Sequence, residues 1–163
     1  LTVSEHMEFL ARAYRLTDYK QRVDELFDRF ELNDKRKKFG DELSKGMQQK
    51  LNICLGLLSE PKMLLLDEPM IGLDPHAIKQ LKSIIEQMRN DGKTLLVSTH
   101  IIDSVDMLWD RTIIMQDGQI RANLTREELE QDGRTLEQLF FDVTEGIGRD
   151  AMSHSEDTAS QEG

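Results

Sequence analysis

The chain has 163 residues, with 21 Lys and Arg against 31 Asp and Glu, a formal net charge of -10 at pH 7 and a single cysteine. That length suits one ordinary domain, or one domain with a small appendage, and the acidic balance opposes a nucleic-acid backbone, so no nucleic-acid partner is expected. A lone thiol, Cys54 in the apolar run Ile53-Cys54-Leu55, excludes an internal disulfide and reads as a buried structural group.

No apolar run approaches the roughly 20 residues that span a bilayer. The first ten residues, LTVSEHMEFL, carry no basic stretch ahead of an apolar one. The sequence therefore predicts a cytosolic chain whose membrane role comes through a partner. Thr2-Val3-Ser4-Glu5 has the form of a capping box, and Val3, Met7, Leu10 and Tyr14 recur at helical spacing, so a helix is expected almost from the first residue. A second helix over about Asp18 to Phe30 carries Val23, Leu26, Phe27 and Phe30 on one face, and polar Asn33 to Glu42 follows as a loop. Within that loop Lys35-Arg36-Lys37-Lys38 reads as a solvated surface turn. Ser44-Lys45-Gly46 then precedes a helix carrying Leu51, Cys54, Leu55 and Leu58.

From Lys62 the texture changes. Met63 to Leu66 is a short, continuously apolar strand, and Asp74-Pro75 opens a helix with Ile78, Leu81, Ile84, Ile85 and Met88 on one face, ended by Gly92. Thr94 to Ser98 is expected as a second buried strand and Ile101 to Trp109 as a short helix. Arg111-Met115 and Gln119-Asn123 suit a hairpin across Asp117-Gly118, with helices over Arg126 to Glu130 and Thr135 to Val143 and a disordered acidic tail from Gly146 to Gly163. Strands alternating with helices imply an α/β fold with a largely parallel sheet.

The stretch 63-MLLLDEP-69 runs an oily strand into two carboxylates, at the strand edge where α/β proteins place ligands. Adjacent side chains point in different directions, so Asp67 can hold Mg²⁺ while Glu68 polarises an attacking water; Asp67 as a plain turn cap is the alternative. Ser44-Lys45-Gly46 at a helix start offers backbone N–H groups and the helix dipole to an anion, or is simply a helix cap. His100, after the apolar strand 95-LLVS-98, can donate a hydrogen bond to a phosphate oxygen. His6, His76 and His154 have no such company, and no His/Cys spacing suggests zinc.

In this order the segments resemble the nucleotide-binding domain of ATP-binding cassette (ABC) transporters. Leu43-Ser44-Lys45-Gly46-Met47 looks like that family's signature motif, Met63 to Glu68 like Walker B, Gly72-Leu73-Asp74-Pro75 like the D-loop, and Ser98-Thr99-His100 like the switch-histidine loop. Lys45 stands where a second glycine is usual, Met47 where a glutamine is usual, and Lys50 where an arginine is common. The resemblance implies a P-loop NTPase-like ABC ATPase core, incomplete and with a mainly parallel sheet, behind an N-terminal helical subdomain. Residues 1–60 would form the helical part and 61–145 the C-terminal part of the core. It implies ATP and Mg²⁺, Glu68 and His100 as catalytic residues, Asp67 at the metal, Ser44, Lys45, Gly46 and Met47 reaching a nucleotide across a dimer, and Asp74 as a further nucleotide-site residue in a loop at the dimer interface beside the hydrolytic site. The implied partners are a second nucleotide-binding subunit and a transmembrane permease, which would hold the chain at the inner face of the membrane.

A phosphate-binding loop, G-x-x-x-x-G-K-[ST], is not found in the 163 residues. Gly92-Lys93-Thr94 has the last three residues, but Gln87 replaces the first glycine inside a helix, and Thr94 opens a strand. The expectation is a C-terminal portion, cut just after the family's glutamine loop and inactive alone. Two other readings stay open: a non-catalytic module that completes a partner's nucleotide site, and a soluble ABC-type ATPase of DNA repair, against which the acidic charge and missing heptads argue.

Overall fold

Thr2 caps the first helix, α1 (Val3–Ala13), as the sequence predicts: its hydroxyl accepts the Glu5 N–H at 3.3 Å while the Glu5 carboxylate accepts the Thr2 N–H at 2.7 Å. The computed structural model describes residues 1–105 and 108–145. Asp106, Met107 and the expected tail, 146–163, lie outside the described residues. Two compact units are present, Leu1–His100 and one beginning at Ile101.

In the first unit the buried stripe of α1 is Val3, Met7 and Ala11. Tyr14, expected on that face, lies beyond the helix end and is 62% exposed. Helix α2 (Tyr19–Arg29) buries Val23, Leu26 and Phe27, with Phe30 buried just past its end. Both helices pack on α3 (Lys45–Leu58), which buries Leu51, Ile53, Cys54, Leu57 and Leu58; Leu55 is only half-buried. The 33–42 segment contains two short 3₁₀ turns, Asn33–Lys35 and Gly40–Glu42. Its basic run is a surface turn in which Arg36 lies over the Phe27 ring at 4.7 Å and pairs with Asp24 at 2.6 Å.

Strand β1 (Met63–Asp67) leads through a turn into α4 (Pro75–Asn90), and β2 (Thr94–Ser98) returns parallel to β1 in the register Met63↔Thr94 through Asp67↔Ser98. Asp74 caps α4 with Pro75 in its first turn, a pairing that needs no other support. The expected buried strands are corrected to half-buried ones. Leu64 is buried, but Met63, Leu65 and Leu96 are 55%, 64% and 53% exposed. An apolar run carries no alternation from which to read that only one face is covered.

In the second unit β3 (Arg111–Gln116) and β4 (Gln119–Thr125) form the expected antiparallel hairpin. Its two turn residues, Asp117 and Gly118, have φ of 53° and 72°, and glycine takes the second at little cost. Helices α5 (Arg126–Gln131) and α6 (Leu136–Thr144) each open on a capping box, at Thr125/Glu128 and Thr135/Gln138. Ile114, Leu129, Leu136 and Leu139 form this unit's core. Of the helix expected over 101–109, the described residues show a 3₁₀ turn, Ile102–Ser104, and Asp106 and Met107 lie outside them. Among the described residues no helix is long and apolar enough to cross a membrane.

Cys54 is fully buried, its thiol donating weakly to Leu26 O at 3.8 Å, and burial pushes its pKa up to about 12. At pH 8 only roughly one thiol in 10⁴ would ionise even if reached. A thiol reagent at that pH is expected to leave the folded chain unmodified over hours and to label it at once in denaturant; fast labelling without denaturant would contradict this packing.

Candidate active site

The parallel register sets Asp67 beside Ser98, and the Ser98 hydroxyl donates to the Asp67 carboxylate. One residue on, Glu68 N–H donates to Ser98 O at 2.9 Å, and the Glu68 backbone turns into the left-handed region at φ 44°. A non-glycine residue there is strained and persists only where its surroundings hold it. The holding groups are visible. Glu68 Oε1 accepts the His100 backbone N–H at 3.0 Å and the His100 Nδ1–H at 2.6 Å, while Oε2 accepts the Thr99 hydroxyl at 3.0 Å.

Both oxygens of Glu68 are thus engaged by the segment leaving β2. The His100 hydrogen bond, followed by that of Thr99, holds the Glu68 carboxyl below the usual carboxylate range. A lowered pKa means that this grip is fully present above the ordinary Glu titration and is lost as pH falls through Glu68's own, lower value. Glu68 is therefore ionised at neutral pH and is a weak base. Asp67 is exposed and keeps oxygen to spare for a cation.

The second expected cluster lies at the start of α3. Ser44 is its N-cap, with the hydroxyl accepting Met47 N–H at 3.3 Å, so the plain capping role is real. Lys45, Gly46 and Met47 form the first turn, where an α-helix leaves amides without intrahelical partners. Ser44 and Lys45 are exposed, Gly46 and Met47 half-buried.

Three contacts join this helix start to the turn after Glu68. A Cβ built on Gly46 would collide with Gly72 O, so position 46 must be glycine for the turn to approach. Gln49 Nε2 donates to Pro69 O at 3.2 Å. Lys50 Nζ lies 2.6 Å from Asp74 Oδ2, while Asp74 Oδ1 accepts Ala77 N–H at 2.9 Å. Lys50, first among the causes, holds the Asp74 carboxyl below its usual range.

All eight expected site residues therefore lie in one unit, in two clusters linked by residues 69–74. Sequence reasoning missed the clamping roles of Ser98, Thr99, Gln49 and Lys50. For Lys50 a signal existed: positions 50, 53, 54 and 57 follow the spacing of a buried helical face, and a lysine at such a place calls for a partner.

The sequence model of the ABC transporter family matches residues 1–71. The chain is 37% identical over 150 residues to the ABC-type transporter ATP-binding protein EcsA of Bacillus subtilis, covering 88% of this chain and 61% of that protein. It is 41% identical over 100 residues to the lantibiotic transport ATP-binding protein SrtF of Streptococcus pyogenes, covering 61% of this chain and 42% of that one. A solved structure of an ATP-binding subunit of an ABC transporter matches with a TM-score of 0.83 at 33% identity, over 88% of this chain and 62% of its own. The chain thus spans about three fifths of the length of EcsA.

Two alanine substitutions in one helix test the close approach. Gly46→Ala, against Gly72 O, is expected to cost about 1–3 kcal/mol. Gly56→Ala meets only Leu64 at ordinary contact distance and should stabilise by roughly 0.5–1 kcal/mol. Urea midpoints measure both; equal effects would mean that position 46 is not crowded.

Proposed function

This chain belongs to the ABC transporter family, and on that footing we propose that it carries two half-sites of an ATP-hydrolysing motor that drives transport through a separate membrane subunit. One half-site is Asp67, Glu68 and His100 at the carboxyl ends of β1 and β2. The other is Ser44 to Met47 at the start of α3, serving a nucleotide held by a second subunit. The observation that carries the reading is the pairing of Glu68 with His100, which places a carboxylate and a phosphate-seeking histidine within one hydrogen bond of each other.

Asp67 suits Mg²⁺ by its chemistry, an exposed carboxylate backed by the Ser98 hydroxyl. Among the described residues no group of three or more His, Cys, Asp or Glu could hold a metal by itself, and Mg²⁺ needs none, since it is commonly held by one or two carboxylates together with phosphate oxygens and water. When bound, the ion supplies charge neutralisation at the transferring phosphoryl group. Glu68, kept ionised by the His100 bond, orients and polarises the attacking water rather than holding a proton at rest. His100 holds Glu68 through its backbone N–H and Nδ1, so Nε2 is the ring nitrogen that would face a γ-phosphate while Glu68 stays held. Ser44, Lys45, Gly46 and Met47 face the opposite nucleotide through the first-turn amides of Lys45 and Gly46 and the positive end of α3, with the Met47 amide taken by the Ser44 cap. Asp74, already fixed as a helix cap, lies beside them at the subunit interface in this reading, with residues 1–60 as the helical part and 61–145 as part of the core.

A second reading is a module that only completes a partner's site, for which the exposed Ser44 and Lys45 at the start of α3 speak. Both readings predict no Mg²⁺-dependent ATP turnover by the chain alone. Mixed with a full-length ATP-binding subunit whose own signature serine is disabled, the chain should restore turnover if Ser44 to Met47 serve in trans. Ser44→Arg is expected to remove that gain. Turnover by the chain alone that Glu68→Gln abolishes would overturn the division into half-sites.

A further inference from the structure

Lys50 is the one charged side chain buried among the described residues, at 8% exposure, on a helix face whose other members are apolar. Desolvating an ammonium there is costly, and an apolar residue of similar length would pack at least as well. Its contacts give the placement a purpose. The ammonium lies 2.6 Å from Asp74 at the start of α4 and 3.8 Å from Glu31, which follows the end of α2 with a left-handed φ of 56°. One side chain on α3 therefore touches the ends of two other helices, and the turn of residues 69–74 is pinned between this ion pair and the Gly46 approach.

We propose that Lys50 is a positioning residue: it holds the 69–74 turn at a set distance from the first turn of α3, and through Glu31 it ties that spacing to the end of α2. The proposal deepens the half-site reading and rests on it for any effect on turnover, because Glu68 precedes the turn and the anion-site amides flank it. A displacement of α2 would reach the turn along this link, without any contact to nucleotide.

Asp74 makes the test clean, because Oδ1 caps α4 while Oδ2 takes Lys50. Asparagine caps a helix as well as aspartate, so Asp74→Asn removes the ion pair and leaves the cap, while Lys50→Met keeps the stem and removes the charge. In the full chain, amide hydrogen exchange over residues 70–74 is expected to rise about tenfold in either variant, with the α1 amides unchanged. The double variant should rise no further than either single one, and Lys50→Arg should restore the wild-type rate. Additive effects, a wild-type rate in Asp74→Asn, or no rescue by arginine would each overturn the proposal. In the mixture with a full-length subunit, Lys50→Met should lower kcat and leave KM for ATP unchanged; a raised KM with unchanged kcat overturns the positioning role. If the exchange results hold while even the wild-type mixture shows no turnover, the positioning role stands and the half-site reading falls.

Discussion

Five residues of parallel pairing between β1 and β2 determine where every group of the first cluster stands. In-register partners on parallel strands send their side chains to the same face, so Leu64 with Leu95 and Leu66 with Val97 turn towards the packed side. Leu65 with Leu96 and Asp67 with Ser98 turn away from it. A slip of one residue would exchange the two faces, burying Asp67 and separating it from the Ser98 hydroxyl. The carboxylates reach solvent because the ladder ends where it does, and Pro69, which has no N–H to donate, is buried beyond it.

Past that end, the chain accepts strain for placement. Glu68 takes a left-handed backbone, and three donors from Thr99 and His100 hold its side chain back over β2. The turn that follows runs close to the start of α3, where Gly46 leaves room, Gln49 reaches Pro69 and Lys50 neutralises Asp74. The strain is thus shared between a strand edge and a helix start. Such an arrangement is expected where two sets of groups must keep a spacing that neither could maintain alone.

The helices were legible because their signals are local. The capping box at Thr2, the Asp74-Pro75 start and the Asp117-Gly118 turn are each complete within a few residues and form where expected, and the capping boxes that the structure adds at Thr125 and Thr135 are of the same local kind. The failures are equally specific. The two oily strands carry no alternation to say which face is covered, so Leu65 and Leu96 were read as buried and are exposed. Lys50 was noticed for its charge and not for its place on a buried face.

By itself the sequence determined the order of most elements and the likeness to the family, and it picked out the residues proposed for the two half-sites, because caps, periodicities and short motifs act between near neighbours. Only the tertiary structure decided which of those residues meet. Ser98 with Asp67, His100 with Glu68 and Lys50 with Asp74 are joined across roughly 24 to 32 positions of chain, and such contacts depend on strand register and helix packing that no local pattern encodes.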